Sequence, residues 1–247
     1  MLSRSRRKDN SIGAGIKLLV LGLTAVVGCG ESTGTSSVTL SGRVTEHVPG
    51  STALGPAIAG VEICQFASNN CALTDENGDY ALRVLKNQEL EMSHVKQGFG
   101  SVLVARRSGM DDFVGDAVLA TDAVLSDLAS QLDTPYPQVG NGSLSITTYR
   151  GLISDDMTIA GVSYSLTGSN GRSFYLDDAL VPDTSLTETQ APGTGGFIEI
   201  APVTVNVQLS GPAVNCASEE SWLAAATNTF RLPIRIGFST QSRVSCE

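Results

Sequence analysis

The sequence predicts an all-β protein built from two antiparallel β-sandwich domains, which a short helix-containing linker joins. Thr, Ser, Val and Gly are abundant, and apolar residues alternate with polar ones in many short runs, as half-buried strands require. Helical periodicity is convincing in a single segment. Residues 29–247, which remain after a predicted leader, are enough for one large domain or two ordinary ones.

Residues 1–28 have the features of a secretory signal peptide. A basic stretch comes first, an apolar run from about Leu18 to Val27 follows, and small residues end it. The run is shorter than the roughly 20 apolar residues that cross a bilayer, so we expect no membrane-spanning helix in the mature chain. The basic residues of the leader are Arg4, Arg6, Arg7, Lys8 and Lys17.

The junction Val26-Val27-Gly28-Cys29 resembles a bacterial lipobox. The resemblance implies that Cys29 receives a diacylglycerol group, that the chain is cut before it, and that acyl chains hold the protein on a membrane. Residues 29–37 have the composition of a flexible tether. Gly30 in place of Asp implies, by the same resemblance, an outer-membrane lipoprotein that faces the periplasm or the surface. The alternative is an ordinary secretory signal in which Cys29 is an incidental or disulfide cysteine.

The predicted mature chain is strongly acidic. Removal of residues 1–28 takes five basic residues and Asp9 from totals of 16 and 25, which leaves 11 positive against 24 negative charges, or −13. Such a chain repels phosphate backbones, which disfavours nucleic acid as a partner. The sequence has no Gly-rich phosphate loop followed by Lys, and we predict no cofactor.

Four cysteines remain after Cys29, an even number that indicates disulfides in an exported chain. Three connectivities are open. We prefer Cys64–Cys71 with Cys216–Cys246, because each pair then falls inside one predicted domain. A zinc site is disfavoured, since Cys64 and Cys71 are too far apart for a CxxC arm.

The first domain is predicted over residues 38–107. Its alternating or apolar runs are Val38–Val44, Ile58–Cys64, Cys71–Thr74 and Tyr80–Val84. Each has the length and the β-branched or aromatic content of a short strand. We therefore expect consecutive antiparallel strands in this part of the chain.

Two of these strands, Cys71–Thr74 and the run that begins at Tyr80, are predicted to form a hairpin. Gly78 supplies the positive φ of its tight turn, and Asp75 and Asn77 bond the turn backbone. The alternating acidic residues also resemble the start of an EF-hand calcium loop. Such a loop needs flanking helices and an acidic ligand at the position of Lys86. We assign a structural turn and predict no metal site.

The order of these pieces resembles the carboxypeptidase regulatory-like, transthyretin-like (prealbumin-like) β-sandwich family. The resemblance covers about residues 38–107 and implies a rigid, non-enzymatic module without catalytic residues. Two features depart from the family pattern, the Cys64–Cys71 pair and the polar run His94–Gln97. The matching residues are Gly42, Val44, Ala59, Gly60, Val61, Thr74, Asp75, Gly78, Tyr80, Leu82, Gly98 and Phe99.

Residues 108–140 are predicted to form the linker. An amphipathic helix is expected over Asp116–Asp133, with Thr121 or Asp122 capping its second half and two prolines stopping it. Residues 141–247 are predicted to be a diverged copy of the first sandwich, since Ala160-Gly161-Val162 repeats Ala59-Gly60-Val61. We expect Thr187–Gly196 to contain an insertion that forms a mobile loop.

The tail is predicted to be a helix–strand unit. Ser218 is expected to cap a helix over Glu219–Thr227, and Phe230–Phe238 alternates as a final strand. Pro233 lacks an N–H group, which places this strand at a sheet edge. A Cys216–Cys246 bond would then staple the unit to the sandwich.

No catalytic constellation is evident. His47 lies in a Gly/Pro-rich loop, His94 lies on a predicted strand, and Trp222 is expected in the core. Aromatic residues do not cluster along the chain, so no carbohydrate platform is evident. We predict a non-enzymatic, lipid-anchored envelope protein that binds or scaffolds a protein or glycan partner. The alternatives are a carbohydrate- or peptide-binding module of a larger envelope complex, and a hydrolase that uses the loop carboxylates Asp155, Asp156, Asp177 and Asp178.

Overall fold

Strands dominate the computed structural model, which describes residues 36–51, 53–151, 157–213 and 215–247. The predicted leader, Cys29 and most of the tether lie outside the described residues. The described residues belong to one unit, Thr35–Glu247. The all-β, β-sandwich prediction is confirmed, and the described residues contain a single short helix.

The first half of the chain forms nine strands, which we call the first copy. They are β1 (Ser37–His47), β2 (Leu54–Ala57), β3 (Glu62–Gln65), β4 (Cys71–Leu73), β5 (Asp79–Leu85), β6 (Glu89–Val95), β7 (Ser101–Arg107), β8 (Phe113–Val114) and β9 (Ala117–Leu119). The helix α1 (Asp122–Gln131) follows.

The second half also forms nine strands, the second copy. They are β10 (Gly142–Arg150), β11 (Ser163–Thr167), β12 (Arg172–Leu176), β13 (Pro182–Asp183), β14 (Thr194–Ile200), β15 (Thr204–Ser210), β16 (Trp222–Leu223), β17 (Thr229–Pro233) and β18 (Phe238–Cys246).

Three sheets hold these strands. In the first, β1 lies between β2 and β5, and β8 and β9 pair with it in parallel. The longest sheet has nine strands in the order β13-β12-β14-β10-β18-β7-β6-β3-β4 and therefore contains strands of both copies. The third sheet has the order β11-β15-β17-β16.

Each copy has its own hydrophobic core. Val44, Val61, Ile63 and Leu119 are fully buried in the first core, and alternate residues of β1 and β5 contribute to it, as the sequence pattern predicted. The second core is built mainly from β10, β14, β15 and β17. Ala105 of β7 is the exception, because it belongs to the first copy and packs in the second core.

A buried threonine marks the same position in the two copies. Thr74 Oγ1 donates to the Ile58 carbonyl at 2.7 Å and accepts from the Val61 N–H at 2.9 Å. Its backbone also bonds the backbones of Gly60 and Val61. Thr189 makes the corresponding bonds in the second copy, which supports the predicted repeat at the level of individual hydrogen bonds.

The repeat extends through the turn that follows the threonine. Gly78 and Gly193 both have positive φ, of 75° and 64°, and each carbonyl accepts from the N–H of the facing strand, at 2.9 Å in both copies. The ladders β1–β5 and β10–β14 also share one register. The equivalent residues are Val44 and Thr148, Ile58 and Ile159, Gly60 and Gly161, Val61 and Val162, Thr74 and Thr189, and Gly78 and Gly193.

The expected insertion in Thr187–Gly196 is therefore wrong. Thr189 to Gly193 has the same length as Thr74 to Gly78, and Thr189 is buried. The extra residues of the second copy lie earlier, between β11 and Thr189, where they form β12 and β13.

The predicted tail is also corrected. The described residues of Glu219–Thr227 contain no helix, because Glu220 is buried in an ion cluster and Trp222 begins β16. The predicted last strand is two strands, β17 and β18. β17 lies between β15 and β16 rather than at an edge, and Pro233 ends it.

The linker helix is shorter than predicted. It begins after Thr121, whose hydroxyl accepts from the Val124 N–H, and ends at Gln131. Residues 117–119 form β9 beside β1 instead of a first helical turn. The boundaries of the linker, residues 108 and 140, stay a prediction. Two strands between these boundaries, β8 and β9, belong to the sheet of β1.

Candidate functional site

The two copies meet along β7 and β18, which pair in parallel over Ser101–Val104 and Phe238–Gln241. β18 also pairs in parallel with β10 along its whole length. Residues Val102 to Arg106 of β7 are all buried, because Val102 and Val104 enter the first core and Ala105 enters the second. The junction is therefore a continuous sheet rather than a flexible connection.

A buried ion cluster lies at this junction. Arg106 of the first copy donates to Glu220 Oε1 of the second at 3.2 Å, and both side chains are about 5% exposed. Glu220 also accepts from the guanidinium of Arg243 and, at 2.8 Å, from its backbone N–H. Arg106 and Arg243 reach the carbonyl of Asp116, the residue before β9. Buried charges are tolerated when they are paired and hydrogen-bonded in this way.

Further contacts cross between β6 and the second copy. Arg231 pairs with Glu89 at 3.0 Å, and Arg235 pairs with Glu91. The Trp222 Nε1–H donates to the Leu90 carbonyl at 3.2 Å. Trp222 is buried, as predicted, and it anchors the second copy on a strand of the first.

A groove of about 1560 Å³ lies beside the junction. Strands β1 and β9, strands β10 and β18, and the helix α1 all contribute to its walls. The floor is polar, with Ser145 and Thr147 on β10 and Gln241 on β18. The α1 residues that line it are partly apolar, such as Leu125 and Leu128, and partly acidic, Asp122 and Asp127. The groove therefore combines hydroxyl, amide, carboxylate and aliphatic groups.

Aromatic residues that are scattered in the sequence line separate parts of this groove. Among the described residues that line it, five carboxylates face two guanidinium groups. The groove is acidic and suits a neutral or cationic ligand better than an anionic one. The aromatic residues of its lining are Tyr80, Phe99, Tyr136, Tyr149, Phe174 and Phe238.

Hydrogen bonds fix residues 134–138, which follow α1 and line the groove. The Tyr136 hydroxyl donates to Asp122 Oδ1 at 2.7 Å. Glu199 accepts from Arg172 at 3.2 Å and from the Thr134 hydroxyl at 3.0 Å. The Arg172 bond, together with that of Thr134, lowers the pKa of the Glu199 carboxyl. The segment that follows α1 is thus attached to the second copy.

Both preferred disulfides are present, Cys64–Cys71 and Cys216–Cys246. Cys64 and Cys71 face each other on β3 and β4. Glu62 lies close enough to the two sulfurs to complete a three-ligand group. The disulfide occupies both thiol groups, so this cluster offers no thiolate ligands.

The Asp75–Gly78 turn has the geometry expected of a structural turn, but the predicted hairpin is wrong, because β4 pairs with β3 and β5 pairs with β1. Asp75 Oδ1 accepts from the N–H groups of Asn77, at 2.8 Å, and Asp79, at 3.0 Å. The Gly78 N–H donates to the Asp75 carbonyl at 3.0 Å. The Asp75 oxygen that a cation would need is thus used by the backbone.

The remaining candidate residues are the two histidines and the loop carboxylates. His47 is half-buried, and burial lowers its pKa. His94 is buried next to Tyr80. Asp177 caps its own turn by accepting from two backbone N–H groups, and Asp178 accepts from the Ala191 N–H. Asp155 and Asp156 lie outside the described residues.

Sequence reasoning missed the junction residues Arg106, Glu220 and Arg243. One signal was available. Residues 102–105 are apolar without alternation, which is typical of a strand buried on both faces.

Among the described residues, no helix has the length and hydropathy needed to span a bilayer.

The fold and its junction define a β-sandwich protein with two tandem copies. No protein-family model matches the chain, and no curated protein matches it. Among solved structures, the chain is similar to a type II cohesin–X-dockerin complex from Acetivibrio cellulolyticus, with 16% identity and a TM-score of 0.30 over 34% of this chain and 58% of that chain.

Two pilins are similar over more of the chain. The minor pilin of Streptococcus agalactiae has 14% identity and a TM-score of 0.26, over 85% of this chain and 96% of that chain. The shaft pilin of Lactobacillus rhamnosus GG has 10% identity and a TM-score of 0.23, over 86% and 98%. Scores of this size carry no argument, so the fold class rests on the strands and cores described above.

Proposed function

We propose that this protein is a non-enzymatic, lipid-anchored envelope protein that binds a protein or glycan partner through its two-copy body. The observation that supports a binding role is the junction, where β18 pairs with both β7 and β10. A body joined in this way holds the groove walls of the two copies at a fixed separation. Preorganised sites of this kind lose less conformational entropy on binding.

The anchor is proposed from the lipobox resemblance at Cys29, together with an outer-membrane location facing the periplasm or the surface. Replacing Cys29 with Ser should move the protein from the membrane fraction to the soluble fraction, because the acyl chains would be absent. Mass spectrometry of the wild-type amino terminus should find a lipidated Cys29. Membrane retention of the Cys29→Ser protein would contradict the anchor.

The groove is the proposed contact surface. A photo-crosslinking residue in place of Ser145, on the groove floor, should capture a partner in intact cells. The matched control is Ser165, an exposed serine on β11 that is not part of the groove lining. Equal capture from both positions, or none from Ser145, would contradict a groove-directed partner.

A second candidate is carbohydrate binding, favoured by the aromatic and hydroxyl groups that the groove combines. Sugar rings present apolar faces to aromatic rings and hydroxyl groups to polar side chains. A glycan array of neutral oligosaccharides tests this, with Phe174→Ala as the variant that should lose binding. A hydrolase that uses the loop carboxylates is the remaining alternative, and Asp177 and Asp178 already bond backbone N–H groups.

A further inference from the structure

The hairpin of β3 and β4 carries the more accessible of the two disulfides. β4 is the last strand of the nine-stranded sheet, and β3 lies between it and β6. Cys64 and Cys71 are directly opposite each other in this hairpin. Cys71 is exposed and Cys64 is half-buried, whereas Cys246 of the second disulfide is 2% exposed. A reductant in solution therefore reaches the hairpin disulfide more readily than the other.

Backbone hydrogen bonds hold the hairpin together independently of the disulfide. On the turn side, the Gln65 N–H donates to the Asn70 carbonyl at 3.0 Å. On the other side, the Thr74 N–H donates to the Val61 carbonyl at 3.0 Å, and the Thr74 hydroxyl accepts from the Val61 N–H at 2.9 Å. The two cysteines between these bonds have Cα atoms 4.1 Å apart. Reduction of the disulfide therefore leaves the two thiols side by side.

Glu62 places a carboxylate next to the sulfurs. It precedes Cys64 by two residues on β3, and alternate residues of a strand lie on the same face. One carboxylate oxygen of Glu62 and the sulfurs of Cys64 and Cys71 lie within 4.8 Å of one another. Glu62 is exposed, and its side chain has no ion-pair or hydrogen-bond partner in the part of the chain that the structure describes. Its negative charge is therefore available to a cation.

Two thiolates and one carboxylate suit a borderline-soft divalent ion such as Zn²⁺. Zinc–sulfur bonds are about 2.3 Å long and zinc–carboxylate bonds about 2.0–2.2 Å, so ligand atoms this close together can contact one ion after small side-chain rotations. Water can take a fourth position, because the hairpin is open to solvent. Mg²⁺ and Ca²⁺ prefer oxygen ligands and suit this group poorly.

We propose that Glu62, Cys64 and Cys71 form a redox-controlled site for Zn²⁺ or a chemically similar ion, which exists only after the disulfide is reduced. A dithiol reductant of the thioredoxin-like class supplies two electrons and two protons. Its own sulfurs form a disulfide, and the Cys64–Cys71 bond becomes two thiols. The ion then forms two metal–sulfur bonds, and the two thiol protons pass to water. The site depends on neither the anchor nor the groove.

Co²⁺ is the probe, because its thiolate complexes absorb near-ultraviolet light that the free ion does not absorb. The purified protein is titrated with Co²⁺ in its oxidised form and after reduction with a phosphine that is then removed without air. We expect the thiolate absorption in the reduced form alone. Zn²⁺ should displace Co²⁺, and an excess of Mg²⁺ should not, because thiolates select the softer ion.

Variants assign the ligands. Glu62→Gln should weaken Zn²⁺ binding at least about tenfold, since even the loss of a group behind the ligands costs about 10–100-fold. Glu76→Gln, at an exposed position on the following turn, is the matched control and should bind Zn²⁺ as the wild-type protein does. In a Cys216→Ser and Cys246→Ser double variant, only the hairpin disulfide can be reduced, and binding should persist.

Three results would overturn the proposal. They are thiolate absorption in the oxidised protein, no such absorption after reduction, and equal Zn²⁺ affinities of the Glu62→Gln and Glu76→Gln proteins. Membrane release and groove crosslinking are measured separately, so their failure is distinguishable from failure of this site.

Discussion

Thr74 and Thr189, 115 positions apart in the chain, hold the same place in two copies of one β-sandwich. Each hydroxyl joins a carbonyl to an N–H three residues further along, across a short glycine-containing link. Both side chains are buried, 5% and 1% exposed. The bonds of these hydroxyls therefore have no water to replace them.

Thr74→Val and Thr189→Val should each destabilise the protein. Valine has the shape of threonine, but it leaves a buried N–H and a buried carbonyl without partners, which costs about 1–3 kcal/mol. Urea denaturation measures the free energy of unfolding. The serine variants keep the hydroxyl and should retain more of the stability than the valine variants; equal losses in serine and valine would contradict the hydrogen-bond explanation.

The buried His94 should make the protein sensitive to acid. Its ring nitrogens make no hydrogen bond of good geometry to the described residues. Burial, reinforced by Arg106, lowers the pKa of His94 to about 4, and weaker interactions with the backbones of Met92 and Val102 oppose this shift only in part. At pH values between the ordinary histidine pKa and about 4, the unfolded chain binds more protons than the folded protein. The free energy of unfolding is therefore highest above this pH range and falls as the pH is lowered through it. The full loss is on the order of 3 kcal/mol.

The second copy supplies the variant that tests this effect. Leu209 lies opposite Tyr164 in the second copy, and His94 lies opposite Ile63 in the first. Tyr164 and Ile63 are equivalent positions, so Leu209 is the equivalent of His94. His94→Leu should flatten the stability profile between pH 6.5 and 4. His47→Gln, at a half-buried position, should leave most of the slope. An unchanged slope in His94→Leu would refute the assignment.

Glu220→Gln should weaken the junction. The substitution leaves Arg106 buried without a carboxylate, and removing one partner of a buried pair costs about 3–5 kcal/mol. Thermal unfolding measures the loss. Glu219→Gln, at the exposed neighbouring position, should change stability by less than about 0.5 kcal/mol. Similar melting temperatures for both variants would show that the cluster does not stabilise the fold.

The two disulfides should contribute unequally. Cys216–Cys246 spans 30 residues and Cys64–Cys71 spans 7. In the loop-entropy treatment these spans correspond to about 4 and about 2.5 kcal/mol. Denaturation of the two double Cys→Ser variants should give the larger loss for Cys216 and Cys246. The reverse order would mean that effects in the folded state outweigh chain entropy.

The sequence predicted the structural features that depend mainly on residues close together in the chain. Apolar and alternating runs located β1, β3, β4 and β5 of the first copy. The Asp75–Gly78 segment indicated a turn, and the Ala-Gly-Val repeat indicated the second copy. Export and cysteine spacing favoured the observed disulfides. Most of these signals lie within about a dozen residues, and the exceptions are the Ala-Gly-Val repeat and the Cys216–Cys246 disulfide.

The failures depend on distant partners. Residues 117–119 have helical spacing, but they lie beside β1 and form a strand. The Ala-rich stretch after Glu220 has high helix propensity, which the burial of Glu220 and the pairing of β16 override. The Ser-, Thr- and Gln-rich β18 gives no apolar signal, yet its Thr240 and Ser242 are buried between two parallel neighbours. Pairing over such separations leaves no local pattern.

The position of β18 has a consequence for biosynthesis. It is the last strand to be made, whereas β7, its neighbour in the first copy, is complete more than a hundred residues earlier. Until then the nascent chain carries an uncovered apolar edge, the type of edge that promotes aggregation. The pairing of β18 with β7 and β10 therefore closes the junction late, after both of its neighbours have been made.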